Sequence, residues 1–266
     1  MIWAQLLVVL LFIYLGARLG GIGIGFMGGM GVVALSLLGL KPGAIPFDVI
    51  SVIMSVIMAI AAMQVAGGMD FLVKVAEKIL RKNPKYITFL APTVTYFMTV
   101  LAGTGHTAFS TLPVIAEVAK EQGIRPSRPL SIAVIASQQA ITASPISAAT
   151  VALLGLLAGF DITLFDILKI TIPATILGVL VGALCSMRVG KELIDDPEYQ
   201  KRMAEGYFDG RKVKIDDVKN KRHAMISVLI FILATAFIVL FGSFEGMRPS
   251  FLIDGKTVTL GMSAII

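Results

Sequence analysis

The chain has 266 residues, of which 56% are hydrophobic and 15% charged, and its mean hydropathy is +0.88. That balance excludes an ordinary soluble domain and a disordered chain, both of which carry far more polar sequence. The net charge of +6 comes from basic residues scattered between apolar runs with no aromatic-interleaved basic patch, which excludes nucleic acid as a partner and assigns the charge to loops at a membrane face.

Apolar runs long enough to cross about 30 Å of hydrocarbon recur along the chain. The first covers residues 2–16. No basic stretch precedes it and the first charge, Arg18, follows it, so it is not a cleavable signal and its N-terminus faces outward. The second run, 22–40, contains Gly23-x-Gly25-x-x-Gly28 with Asp48 downstream. This matches a dinucleotide-binding pattern only in letters, because no strand precedes it. Gly21, Gly25 and Gly29 instead recur every four residues, a flat face against which another helix can pack. A third run covers 45–66.

Residues 70–82 predict an amphipathic helix. Phe71, Leu72, Val75, Ala76, Ile79 and Leu80 share one face, and Lys74, Glu77, Lys78, Arg81 and Lys82 share the other. Gly67-Gly68 opens it and Asn83-Pro84 closes it. It is too short and too charged to span, so it is expected along the cytoplasmic interface.

The next two stretches are apolar but interrupted by small polar residues. Residues 86–119 break at Gly103-Thr104-Gly105-His106-Thr107, and residues 130–160 break at Thr142-Ala143-Ser144-Pro145-Ile146-Ser147. Between them, residues 123–129 form a basic, proline-rich cytoplasmic turn. A further span covers 163–187, with the lone Cys185 inside it, where it has no disulfide partner and no metal-ligand neighbours. Residues 188–223 are a solvated connector with a short helix near 197–205, and a new span starts at 224. The apolar run at 259–266 stops without flanking charge, which predicts a fragment.

With the N-terminus outside, Arg18, Lys74, Lys78, Arg81, Lys82, Lys85, Lys120, Arg125, Arg128 and the basic residues of 188–222 fall inside. Only Lys41, Lys169, Arg248 and Lys256 fall outside. The positive-inside rule then fixes the orientation.

A break at membrane depth is costly, because the freed backbone groups find no water in hydrocarbon. Such breaks survive where they line a polar cavity, and a pair of them points to the solute site of a secondary transporter. The first break reads as a re-entrant hairpin. One half-helix ends near Gly103, and a second starts near Thr107 and runs to Val118, with its positive end at depth. Thr104, Gly105, His106 and Thr107 are the candidate ligands there, and His106 is also a candidate proton carrier, because a histidine's unperturbed ionisation lies near neutrality. The structural alternative is a kinked span with a satisfied buried histidine. At the second break Ser144 is the expected N-cap and Pro145 the first helical residue, so a half-helix begins at depth. Thr142, Ser144, Pro145 and Ser147 are candidate ligands, and Gln138 lies one turn earlier on the same side; Gln139 points elsewhere. The alternative is a proline kink satisfied by hydroxyls. No Lys or Arg lies in either break, so dipoles and hydroxyls would hold a carboxylate weakly and reversibly, as a carrier requires.

At these residues the chain resembles the Dcu family of anaerobic C4-dicarboxylate transporters. The matching stretches are 16–26, 45–51, 63–68, 81–88, 103–105, 112–119 and 141–148, which together run through most of the chain. The resemblance implies uptake, exchange and efflux of fumarate, succinate, malate and aspartate across the bacterial inner membrane, where the outward N-terminus read from the charges would be periplasmic. It also implies an all-α membrane protein of the ion-transporter superfamily: inverted repeats, a cytoplasmic arm helix, a re-entrant hairpin and a broken helix per repeat, assembled as a homodimer that works as an elevator. In that scheme residues 1–223 are the first repeat and 224–266 open a truncated second one. Membrane lipid is the expected surroundings, and no cofactor or metal is implied. His106 is expected to tune substrate choice without being essential.

Two other functions compete. A non-transporting membrane subunit or sensor partner is compatible with a truncated chain. An intramembrane enzyme would need a nucleophile–base pair or a metal cluster, and His106 beside a Ser or Thr is the only candidate.

Overall fold

The computed structural model describes residues 2–43, 45, 47–157, 160, 162–187, 189–190, 192–205, 220–244, 250–253 and 256–259. The chain divides into two units, Met1–Pro46 and Phe47–Ile266.

The first unit pairs α1 (Ile2–Leu19) with α2 (Ile22–Leu37). Gly20 and Gly21, both at positive φ, turn the chain between them. The glycines that admit the neighbouring helix are not the expected stripe. A Cβ on Gly31 would stand 3.2 Å from the Phe12 side chain, and one on Gly16 would stand 3.3 Å from the Ile24 backbone. Gly25 and Gly29 meet nothing within 4 Å among the described residues. The seating of Phe12 on Gly31 sets the contact, and the four-residue glycine repeat is turned away from it. α1 is only 6% buried, as an apolar helix in contact with lipid would be.

The second unit begins with α3 (Phe47–Val65), which bends by 73° into α4 (Gly68–Lys82). The bend needs glycine: a Cβ on Gly68 would stand 2.6 Å from both Met63 and Ser227 side chains. A short 3-10 turn, Pro84–Tyr86, leads into α5 (Ile87–Ala102), then α6 (His106–Phe109) and α7 (Leu112–Glu121). α8 (Ser127–Thr142) and α9 (Ala148–Leu156) flank the second break, and α10 (Leu164–Ser186), α11 (Pro197–Ala204) and α12 (Lys221–Ser243) complete the helices among the described residues. α10 opens with a capping box in which Thr163 and Asp166 exchange hydrogen bonds.

The chain is therefore mostly helical. One correction is a small antiparallel hairpin of β1 (Ser250–Ile253) and β2 (Lys256–Thr259), with Ser250 opposite Thr259. Phe251, Leu252, Ile253 and Val258 are residues that suit a pleated surface, and strands this short give no periodicity signal. The middle of the connector, 206–219, and most of the closing apolar run, 260–266, lie outside the described residues.

α5 packs on α8, α8 on α10, and α12 against α4 and α3. The main core lies between α4, α5 and α7, where Met69, Val73, Ala76, Leu80, Ile87, Ala91, Val94, Met98, Val114 and Ile115 are buried together. α4 runs beside α5 and α7. At one end Met69 lines a cavity shared with Gly103 and Thr104; at the other, Arg81 reaches Glu77, Glu117 and Glu121 at 2.9–3.2 Å. Within the apolar face of α4, Ala76 and Leu80 are covered by protein and Phe71 and Leu72 are partly so, while Val75 and Ile79 remain open.

Candidate solute site

The first break begins where α5 reaches Gly103. This residue takes the left-handed conformation at φ 66°, and its N–H donates to the Thr99 carbonyl at 2.8 Å. An αL residue closes a helix in this way, and only glycine adopts it without cost. The chain does not then form one half-helix from Thr107 to Val118. α6 is a single turn ending at Phe109, and α7 starts afresh at Leu112. Pro113 is the reason: it has no N–H for the Phe109 carbonyl and its ring would collide there. Thr111 bridges the gap by donating its hydroxyl to the Ala108 carbonyl at 2.8 Å. The expected dipole at Thr107 is therefore too short to matter.

The second break also differs in detail. α8 ends at Thr142, and the cap of α9 is Ser147, not Ser144. Ser147 Oγ accepts from the Thr150 N–H at 3.2 Å and donates to the Thr150 hydroxyl at 2.9 Å. Thr150 in turn donates to the Thr142 carbonyl at 3.3 Å, so one side chain spans the break. Pro145 lies in the connecting turn, outside the helix. Ser144 is fully buried and donates to the Val100 carbonyl, one of the last in α5, at 2.7 Å.

The two breaks therefore touch. Besides the Ser144–Val100 bond, a Cβ on Gly103 would stand 3.0–3.2 Å from Ile146. Beside this junction lies a cavity of about 530 Å³, lined by Ile53, Val56, Ile57, Ile60, Ala61 and Gln64 of α3, Met69 of α4, and Ala102, Gly103, Thr104, Thr107, Ser110, Ile146 and Ala148. One wall is apolar and carries a single amide, and the other is the polar junction of the breaks.

Of the expected ligands, Thr104 and Thr107 line this cavity. Thr107 is nearly buried and spends its proton on the Thr104 carbonyl at 3.1 Å, leaving it an acceptor. Gly105 is buried against Gln138, whose amide nitrogen lies 2.6 Å from where a Cβ would stand, so these two pack on each other, and neither lines the cavity. His106 opens α6, and its side chain lies outside the described positions. Thr142 donates to the Gln139 carbonyl at 2.8 Å. Thr142, Ser144, Pro145 and Ser147 do not line the cavity. Sequence reasoning passed over Gln64 and Ser110. Gln64 is a polar residue near the end of an apolar run, and that was the signal available.

At the base of the second unit, Arg128 is 9% exposed and donates to the Val189 carbonyl at 2.7 Å, the Gly190 carbonyl at 2.6 Å, and Glu192. Arg125 pairs with Asp196 at 3.1 Å. These contacts tie the start of α8 to the segment after α10. Among the described residues no group of His, Cys, Asp and Glu is placed to hold a metal ion.

Apolar helices long enough to cross a membrane, together with paired helix breaks meeting beside a polar-walled cavity, define a multi-pass membrane protein of the broken-helix class. The chain belongs to the anaerobic C4-dicarboxylate membrane transporter family, whose profile matches residues 1–266. The C4-dicarboxylate transporter DcuA of Escherichia coli (strain K12) is 55% identical over 242 residues, covering 91% of this chain and 55% of that protein. DcuA of Wolinella succinogenes is 57% identical over 240 residues, covering 90% of this chain and 55% of that protein. DcuA of Serratia marcescens is 72% identical over 131 residues, 49% of this chain and 99% of that sequence. The chain thus spans about half the length of the first two relatives. No solved structure matches it.

Proposed function

We propose that this chain builds one face of the solute site of a secondary carrier for C4-dicarboxylates in a bacterial inner membrane. The observation that carries the reading is the cavity beside the junction of the two breaks. A carboxylate there needs donors. Ser110 is exposed at the cavity, and Gln64 offers two amide protons from the opposite wall. Ala148 lines the same space as the first residue of α9, and the N–H groups of Ala148 and Ala149 lie in the first turn, where no intrahelical carbonyl reaches them and the Ser147 cap takes only the Thr150 N–H. Thr104 adds a hydroxyl at the hairpin tip. The absence of Lys or Arg among the lining residues keeps the hold weak, which favours release. Fumarate, succinate, malate and aspartate are the substrates we assign, moved by uptake, exchange or efflux. The N-terminus is assigned to the periplasm from the distribution of basic residues, and the protein is assigned to an elevator-type homodimer with inverted repeats.

The test is radiolabelled fumarate exchange in proteoliposomes. The chain is reconstituted alone and together with the portion of the Escherichia coli relative that the match does not cover, and fumarate binding to the purified chain is measured in parallel. Exchange above empty vesicles in the combined sample supports the reading. Binding without exchange in both samples favours a non-transporting subunit, and no binding by either sample overturns the site.

A further inference from the structure

A second cleft lies along α4 and shares no lining residue with the solute cavity. It holds about 330 Å³ between α4 and α5 and is walled by Leu72, Val75 and Ile79 on one side and Leu90, Phe97 and Leu101 on the other. Its lining is apolar apart from Thr93, whose hydroxyl is already given to the Phe89 carbonyl at 2.8 Å. Val75 is 40%, Ile79 44% and Phe97 58% exposed, so the cleft is open along its length. From Leu90 to Leu101 it follows α5 for about 16 Å at 1.5 Å per residue. That is about half of a 30 Å hydrocarbon core, the depth of a single leaflet.

Charge identifies the occupant. Lys82 lies three residues beyond Ile79 and Lys78 three beyond Val75, so both border the open apolar strip on the helix surface. Lys85 and the 66%-exposed Tyr86 stand just ahead of α5, at the same end of the cleft. The acidic residue nearest in sequence, Glu77, is on the far side of α4, engaged with Arg81. An apolar slot of one-leaflet depth, with lysines and a tyrosine at one rim, matches a lipid tail below an anionic headgroup. We propose that the α4–α5 cleft binds an anionic phospholipid, with an acyl chain between Ile79 and Phe97 and the phosphate held by Lys82 and Lys85 beside Lys78. This site is independent of the solute reading and would anchor α4 against the hairpin.

The experiment is native mass spectrometry of the purified chain in neutral detergent, titrated with phosphatidylglycerol or phosphatidylcholine. Each lysine near the headgroup is worth about fivefold, so phosphatidylglycerol is expected to be retained over phosphatidylcholine by tenfold or more, with the preference shrinking as salt rises. Lys82→Gln/Lys85→Gln, at exposed positions, should cut the preference by about tenfold or more, leaving only what Lys78 supplies, with phosphatidylcholine binding and the circular dichroism spectrum unchanged. Thr93→Trp, which fills the slot from an exposed position, should reduce retention of both lipids. Equal retention of the two lipids by the parent chain overturns the proposal, as does a preference that the double substitution leaves undiminished. A lipid-free dimer that Thr93→Trp dissociates would also overturn it, by giving the cleft to a second copy of the chain.

Discussion

Ser144, inside the break of one helix, donates its hydroxyl to the carbonyl of Val100 in the last turn of another, at 2.7 Å. The last carbonyls of a helix have no intrahelical donor, and at membrane depth no water replaces one. The serine satisfies a cost created by the break in the neighbouring element, so each interruption makes the other tolerable.

Ser144→Ala should therefore act on stability. It leaves a buried carbonyl unsatisfied, at a cost of about 1–3 kcal/mol. Thermal or denaturant unfolding in detergent should show this loss, while fumarate affinity of the folded fraction stays near that of the parent chain. A large affinity loss with unchanged stability would return Ser144 to the binding site.

Gly103→Ala tests the junction from the other side. The residue sits at φ 66° with Ile146 3.0–3.2 Å from any added methyl group. The left-handed conformation alone costs a non-glycine residue about 1–2 kcal/mol, and the crowding adds to it. The expected outcome is a stability loss of about 2 kcal/mol or more, together with faster hydrogen exchange at residues 100–107 and 143–148.

Within the cavity, Gln64→Leu and Ser110→Ala each remove a donor without disturbing a helix cap. A hydrogen bond worth about 1 kcal/mol corresponds to roughly fivefold in affinity. Each substitution should weaken fumarate binding by about that factor, measured by equilibrium dialysis. Ser131→Ala, whose hydroxyl bonds the Ser127 carbonyl at the far end of α8, should leave binding unchanged.

Arg128 and Arg202 offer a contrast in arginine energetics. Arg128 is 9% exposed and bonds carbonyls as well as Glu192, whereas Arg202 pairs with Glu198 on an open helix surface. Arg128→Met should cost about 2 kcal/mol or more, because the charged hydrogen bonds of a nearly buried guanidinium are lost. Arg202→Met should cost less than about 0.5 kcal/mol, as exposed pairs do. Comparable losses at both sites would show that the segment after α10 is not held by Arg128.

The sequence by itself determined the helices, because hydropathy over a full span is a property of many residues and survives local error. The run expected at 163–187 became α10 at Leu164–Ser186 with Thr163 as its cap, and the runs at 2–16 and 22–40 became α1 and α2. It also located both breaks, since glycine and hydroxyl residues inside apolar stretches have a direct backbone cost. Tertiary structure decided how each break is satisfied. Ser144 and Ser147 are equally good caps in isolation, and only the nearby Val100 carbonyl diverts Ser144 and leaves the capping to Ser147. It also decided which glycines meet a helix, Gly31 and Gly16 in place of Gly25 and Gly29, because that depends on where Phe12 lands. Gln64 joins Thr104 and Ser110 in one cavity although α4 lies between them in the chain, and residues brought together by a 73° bend leave no local pattern to read.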